Sequence, residues 1–481
     1  MRFKKHCLLF LLALTIIMPV NPWQKSLHAK IDNPISYKVT APLNQSLVFK
    51  RIQDGKIIYS KNPDQVLSPA SVTKLITAAA CFDMFGSHHT FQTPITYTGN
   101  RRGHKITGNI YIKGSGDPLL ISELIWQLAT DIRNMGIRQI TGDIVIDNSS
   151  FDSEIRDHAR ISSAQRSRNA YDAPITPFAI NYNTFTLSVG PNPDIGSKAL
   201  VTFDPYPLRM IAIENYVTTA RHGMHGNVRA ARITKKNRTS IRVKGSISTN
   251  STLKKIYRSV SNPVRAAGEQ VRGFLLGQDI IVQGQVKSGK APKNSKLLIK
   301  ITGYPLYKIM SSMNKYSNNY IADVMTKNLG SKISNPASFK SGLTAIQHFM
   351  QKIGVKGDYK IYNGSGLSPN NRLSANQVTD LLMYVAKKFR YFPEFLASLP
   401  VSSRDGTLKD RFAEIPKGAV RAKTGSLTEP ISVSSLAGYL NHKTHGLIAF
   451  AIIDNGKPKS RQPSLFDLRK RQDHIIKNLL K

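Results

Sequence analysis

One short stretch constrains this chain more than any other. Ser68-Pro69-Ala70-Ser71-Val72-Thr73-Lys74 runs directly into Leu75-Ile76-Thr77-Ala78-Ala79-Ala80. The apolar, alanine-rich run reads as a buried helix. Residues three apart share a helix face, so Ser71 Oγ and Lys74 Nζ can meet at one spot. Burying that spot disfavours the ammonium form of Lys74, and a neutral amine can accept the proton of a serine hydroxyl. The fold must therefore bury a lysine beside a serine and still admit a substrate.

Two distant motifs supply partners for this pair. Ser317-Asn318-Asn319 stands before an amphipathic helix carrying Tyr320, Ile321, Val324 and Met325 on one face. Lys423-Thr424-Gly425-Ser426 opens a C-terminal strand set. Each motif alone is weak. Ser251-x-x-Lys254 and Ser312-x-x-Lys315 repeat the first spacing. Ser167-x-Asn169, Ser248-x-Asn250 and Ser368-x-Asn370 repeat the second, and Lys287-Ser288-Gly289 approximates the third. The ordered triple is specific, because each of its members also has a fitting context. Its gaps are unequal: 246 residues separate Ser71 from Ser317, and 106 separate Ser317 from Lys423.

On these residues the chain resembles the penicillin-binding D-alanyl-D-alanine carboxypeptidases/endopeptidases of the type-4 class (low-molecular-mass class C), which carry large insertions between the first two motifs. Gly114-Ser115-Gly116-Asp117-Pro118, Gly142 to Asp147, Gly364-Ser365-Gly366-Leu367-Ser368, Leu399-Pro400-Val401 and Asp405-Gly406-Thr407-Leu408 are similar to stretches of that class. Asn363 departs from the Asp that usually precedes Gly-Ser-Gly-Leu-Ser, a change expected to modulate the site without removing it.

The resemblance implies roles. Ser71 is the nucleophile and Lys74 its base, although the base is disputed in this superfamily. Ser317 passes the proton to the leaving amine, and Asn319 holds a substrate amide. Lys423 keeps positive potential near Lys74, and Thr424 binds the terminal carboxylate. The backbone N–H groups of Ser71 and Ser426 form the oxyanion hole. Peptidoglycan stem peptides are the implied substrate, β-lactam antibiotics are covalent inhibitors, and no cofactor or metal is required. A serine β-lactamase on the same catalytic unit and a catalytically idle wall-binding protein are the alternatives.

The implied fold is α+β. It is a penicillin-binding/β-lactamase-like transpeptidase domain, an antiparallel sheet with helices on both faces, with large mostly β insertions. Short alternating strands at Ile95–Tyr97, Ile106–Ile112 and Gly142–Asp147, with a helix from about Ile121 to Met135, set off this insertion. The expected organisation is residues 1–29 as leader, 30–94 and 299–481 as the peptidase domain, and 95–298 as the insertion, of one or two modules. Asp54-Gly55 between apolar runs predicts a type I′ hairpin. Ser374 predicts an N-cap, and Val433–Leu440 and Leu447–Ile453 predict adjacent antiparallel strands.

Composition addresses location and partners. Met1-Arg2-Phe3-Lys4-Lys5-His6 followed by an apolar run from Cys7 to Val20 reads as a signal peptide, with cleavage after Ala29 and a periplasmic destination. Cys7 leaves with it, so Cys81 is a lone thiol read as a core residue. The net charge is +39, and removing Arg2, Lys4, Lys5 and Lys25 leaves +35. Such a field attracts anionic envelope polymers. No nucleic-acid-binding signature accompanies it. His222 and His225 lie in a Gly-rich stretch that reads as a loop, not a metal pair.

Overall fold

The computed structural model describes residues 39–157, 169–224, 226–235 and 238–480. The leader, its cleavage site, His225 and Asn237 lie outside these.

A five-stranded antiparallel sheet forms the framework of the site. Its strands are β1 (Leu43–Arg51), β2 (Ile57–Lys61), β3 (Val420–Leu427), β4 (Val433–His442) and β5 (Gly446–Gly456), in the order β3-β4-β5-β1-β2. Both faces are covered, which explains the unbroken apolar run in β5. Ile448, Phe450 and Ile452 point to one face, where they join Phe49 and the Ile475, Ile476 and Leu479 stripe of the C-terminal helix Leu465–Leu480. Ala449, Ala451 and Ile453 point to the other, toward a helical layer that includes Leu75, Ile321 and Leu381. That layer contains the helices Lys74–Phe85, Leu306–Lys315, Asn319–Gly330, Phe339–Lys352 and Ala375–Ala386. Ser374 caps the last of these in a capping box with Gln377.

Two of the expected local features differ. The β1–β2 loop is longer than a two-residue turn. Arg51 N–H donates to Lys56 O, Gly55 N–H donates to Arg51 O, and of Asp54 and Gly55 only Gly55 has positive φ, at 74°. A type I′ turn needs both. The expected Ile106–Ile112 strand is broken at Gly108, where a Cβ would lie 2.1 Å from Thr98 O. Lys105–Thr107 and Ile110–Lys113 accordingly join different sheets.

The region between the first two motifs holds two separate cores. One joins the sheet containing Gln92–Tyr97, Ile110–Lys113, Ile144–Asp147, Val286–Ser288 and Lys296–Thr302 to the helices Ser122–Asn134 and Pro263–Leu276. The other lies between two three-stranded sheets built from residues 184–259. Helix Pro263–Leu276 was not foreseen, although Asn262 caps it and Pro263 opens it. Gln92–Tyr97 pairs with Lys296–Thr302, Ile95 opposite Ile299, so the chain enters and leaves the region side by side. The limits drawn at 95 and 298 fall inside these strands. Among the described residues, no helix is long and apolar enough to cross a membrane.

Candidate active site

Ser71 lies just before the α-helix, on the 3-10 turn Ala70–Thr73. Side chains at i and i+3 eclipse in that geometry, which brings Lys74 Nζ to 3.0 Å from Ser71 Oγ. The turn is held under strain. Ala70 has φ 46°, a left-handed conformation that costs a non-glycine residue about 1–2 kcal/mol. Two glycines clamp it. A Cβ on Gly425 of β3 would lie 2.7 Å from Pro69 O and 3.0 Å from Ser71 N, and one on Gly366 would lie 2.0 Å from Ala70 O. Ser71 itself remains half-buried, open to a ligand.

Lys74 and Lys423 are both fully buried. Lys74 Nζ donates to Asn319 Oδ1 at 2.7 Å and to Ser365 O at 2.5 Å, besides its contact with Ser71. Lys423 Nζ donates to Ser317 Oγ at 2.9 Å and to Thr424 O at 2.7 Å. The acceptors that Lys423 meets are neutral. Burial, and then the charge of Lys74, pushes its ammonium well below the ordinary lysine value. The site thus disfavours the charge of Lys423.

Ser317 has φ 54°. It does not cap the helix that follows; Asn318 does, accepting from Ile321 N at 3.1 Å. The hydroxyl of Ser317 is thereby left to Lys423, while Asn319 turns inward to Lys74. Thr424 Oγ1 is 2.8 Å from Thr407 Oγ1, and Ser426 Oγ accepts from Arg469 at 3.3 Å. All seven expected site residues thus come from the Ser71 turn, the Ser317 bend and strand β3, with direct bonds linking Ser71, Lys74 and Asn319 and linking Ser317 and Lys423.

Sequence reasoning missed three participants. Ser365 enters through its carbonyl, which no side-chain motif reveals. Gly366 enters by closeness, and Thr407 by its bond to Thr424. All three lie in stretches already singled out as similar to the class. Asn363 organises the first of these loops: its Oδ1 accepts from Gly366 N at 3.0 Å and its Nδ2 donates to Asp157 Oδ2 at 3.1 Å. Among the described residues no cluster of His, Cys, Asp or Glu could hold a metal ion.

A serine paired with a buried lysine, facing the edge strand of an antiparallel sheet covered by helices on both faces, defines a serine hydrolase of the penicillin-binding/β-lactamase-like fold. Residues 29–478 match the D-Ala-D-Ala carboxypeptidase 3 (S13) family, and the chain belongs to it. It is accordingly a serine-type D-Ala-D-Ala carboxypeptidase. The D-alanyl-D-alanine carboxypeptidase of Actinomadura sp. (strain R39) is 28% identical over 422 residues, covering 84% of this chain and 76% of that protein. The D-alanyl-D-alanine carboxypeptidase DacB of Haemophilus influenzae is 26% identical over 454 residues, covering 93% and 91%. The crystal structure of penicillin binding protein 4 from Haemophilus influenzae is similar with TM-score 0.73 and 25% identity, over 95% of this chain and 98% of that one.

Proposed function

We propose that the chain is exported and cleaves both D-Ala-D-Ala termini and peptide cross-links of peptidoglycan through an acyl-enzyme on Ser71. The observation that carries this reading is the Ser71–Lys74–Asn319 cluster, with Ser317–Lys423 lying beside it. Lys74, when neutral, takes the Ser71 proton as Oγ attacks the carbonyl of the penultimate D-Ala. The backbone N–H groups of Ser71 and Ser426 hold the oxyanion, where losing one donor typically costs roughly 3–4 kcal/mol. Ser317, bonded to Lys423, delivers a proton to the leaving amine. Asn319 orients the substrate amide and Thr424 receives the terminal carboxylate. Water then releases the acyl group. Residues 30–94 and 299–481 are read as the peptidase unit and 95–298 as the insertion. The +35 charge of the exported chain would favour anionic envelope polymers at range.

A β-lactam fits the same reaction as an amide that acylates Ser71 and leaves slowly. The test is incubation with purified muropeptides and with labelled penicillin. Free D-Ala, split dimers and a stable adduct are expected. Rapid penicillin turnover without an adduct would favour a β-lactamase instead, and binding to isolated sacculi without any product would favour an idle binding protein.

A further inference from the structure

Charge is unevenly placed on the insertion. From Asn215 to Gly268 the chain carries 12 Lys and Arg and not one Asp or Glu, so 12 of the net +35 charges gather in one stretch. This stretch builds most of a three-stranded sheet, in which Ile211–Ala220 and Arg229–Lys235 flank Arg238–Ser248. Side chains alternate across a sheet. Val217, Ala230, Ile241 and Val243 point inward, to a core shared with Phe185, Leu187 and Ile256 of the second sheet. Their neighbours Tyr216, Arg229, Arg242 and Lys244 point outward and are exposed.

The outward face is flat, open and cationic. Arg229, Lys244 and Tyr216 lie opposite one another in a single row across the three strands. The Lys244 ammonium is 5.8 Å from the Tyr216 ring centroid. The next row is Ala231, Arg242 and Glu214, and Glu214 already accepts from Arg242 Nε at 2.8 Å. Among the described residues no carboxylate meets Arg229 or Lys244. Like charges directly opposite one another in a sheet are destabilising, and an anion lying between them removes that cost. Ala212, Thr218, Ser240 and Ser246 occupy the rest of the face, so nothing tall stops a long polymer from lying across it. Nor does the face carry a broad apolar stripe of the kind that enters a bilayer.

We propose that this face binds the peptidoglycan polymer itself, a glycan mesh whose stem peptides carry free carboxylates, at a site separate from the catalytic one. The choice of polyanion rests on the proposed function. The second sheet turns its own free face, with Thr186, Asp204 and Tyr257, toward the Ser317 bend. The basic face is therefore on the far side of the sandwich, and one chain can hold the polymer there while Ser71 works on another part of it. Such an anchor raises the effective concentration of scissile bonds at the serine without a new contact in the active site.

Cosedimentation of the full chain with purified sacculi tests this. Binding should persist in excess benzylpenicillin and weaken as salt rises. Arg229→Gln/Lys244→Gln should weaken it about tenfold, since an exposed ion pair accounts for up to roughly fivefold. The same variant should release product from sacculi more slowly and keep kcat/KM for a soluble pentapeptide unchanged. Lys340→Gln/Lys356→Gln removes equal charge from exposed positions on the catalytic unit and should alter none of these. Binding abolished by benzylpenicillin, equal losses in the two double variants, no loss in the first, or stronger binding to phosphatidylglycerol vesicles than to sacculi would overturn the surface. Sacculus binding that needs Arg229 and Lys244, in a protein that releases no product and forms no penicillin adduct, would uphold the surface and overturn the proposed function.

Discussion

Lys423 and Lys327 are both completely buried, in two regions that treat the charge differently. Lys327, on the helix behind Asn319, meets the Asp152 carboxylate at 2.5 Å and Glu154 O at 2.5 Å, and lies over the Phe339 ring. Burial lowers its pKa, but Asp152 opposes the shift. Lys423 meets a hydroxyl and a carbonyl, and burial first, then the neighbouring Lys74, brings its pKa well below the ordinary value. Burying an ammonium is costly unless a countercharge offsets it. The seam with the insertion supplies one to Lys327. The site offers Lys423 neutral acceptors, the arrangement expected where an amine must give and take protons.

The largest effect expected from breaking this contrast is at Lys423. Lys423→Arg installs a group that stays charged, and the acylation rate by penicillin should fall roughly 10²–10³-fold, comparable to removing one preorganised polar group from an active site. Acylation by the unaltered protein should rise with pH as the coupled Lys74–Lys423 pair loses a proton, and reach its plateau well short of 10.5. Stability carries the same sign. The unfolded chain binds more protons than the folded one between the depressed value and 10.5, so stability rises with pH across that window. Denaturation of Lys423→Met at several pH values should show that slope flattened.

Gly366→Ala comes next. The new Cβ would collide with Ala70 O, at 2.0 Å, and Gly366 sits at φ 72°, so the Ser71 turn must shift. Acylation should drop about tenfold or more, since misplacing a reacting group by about 1 Å can cost 10²-fold. Lys327→Met acts on the other side of the comparison. It strands Asp152, whose side chain keeps 28% exposure, so the loss should be about 2–3 kcal/mol of stability, read by urea titration, with a smaller effect on turnover. Ser374→Ala is smallest: losing its cap should cost about 1 kcal/mol and leave the acylation rate unchanged.

What the sequence made legible was side-chain chemistry at fixed spacing. Ser71 and Lys74 are local neighbours, and Ser317-x-Asn319 and Lys423-Thr424-Gly425 announce themselves by pattern. The two-faced sheet followed from the resemblance, while the apolar runs Val433–Leu440 and Leu447–Ile453 announced two adjacent strands of it. The rest depended on contacts between distant backbone atoms. The Ser365 carbonyl has no side-chain signature, and the need for Gly366 arises only where Ala70 approaches it. Helix Pro263–Leu276 carried its own Asn-Pro start signal, but it lies among polar β segments whose pattern dominated the region.

The central claim is that buried Lys74 makes Ser71 the nucleophile. Its most direct test is intact-mass analysis of the full chain after incubation with benzylpenicillin, followed by peptide mapping. The account predicts one adduct per chain, on the peptide containing Ser71, and none in Ser71→Ala. An adduct on another residue, or labelling of Ser71→Ala at the normal rate, would contradict it.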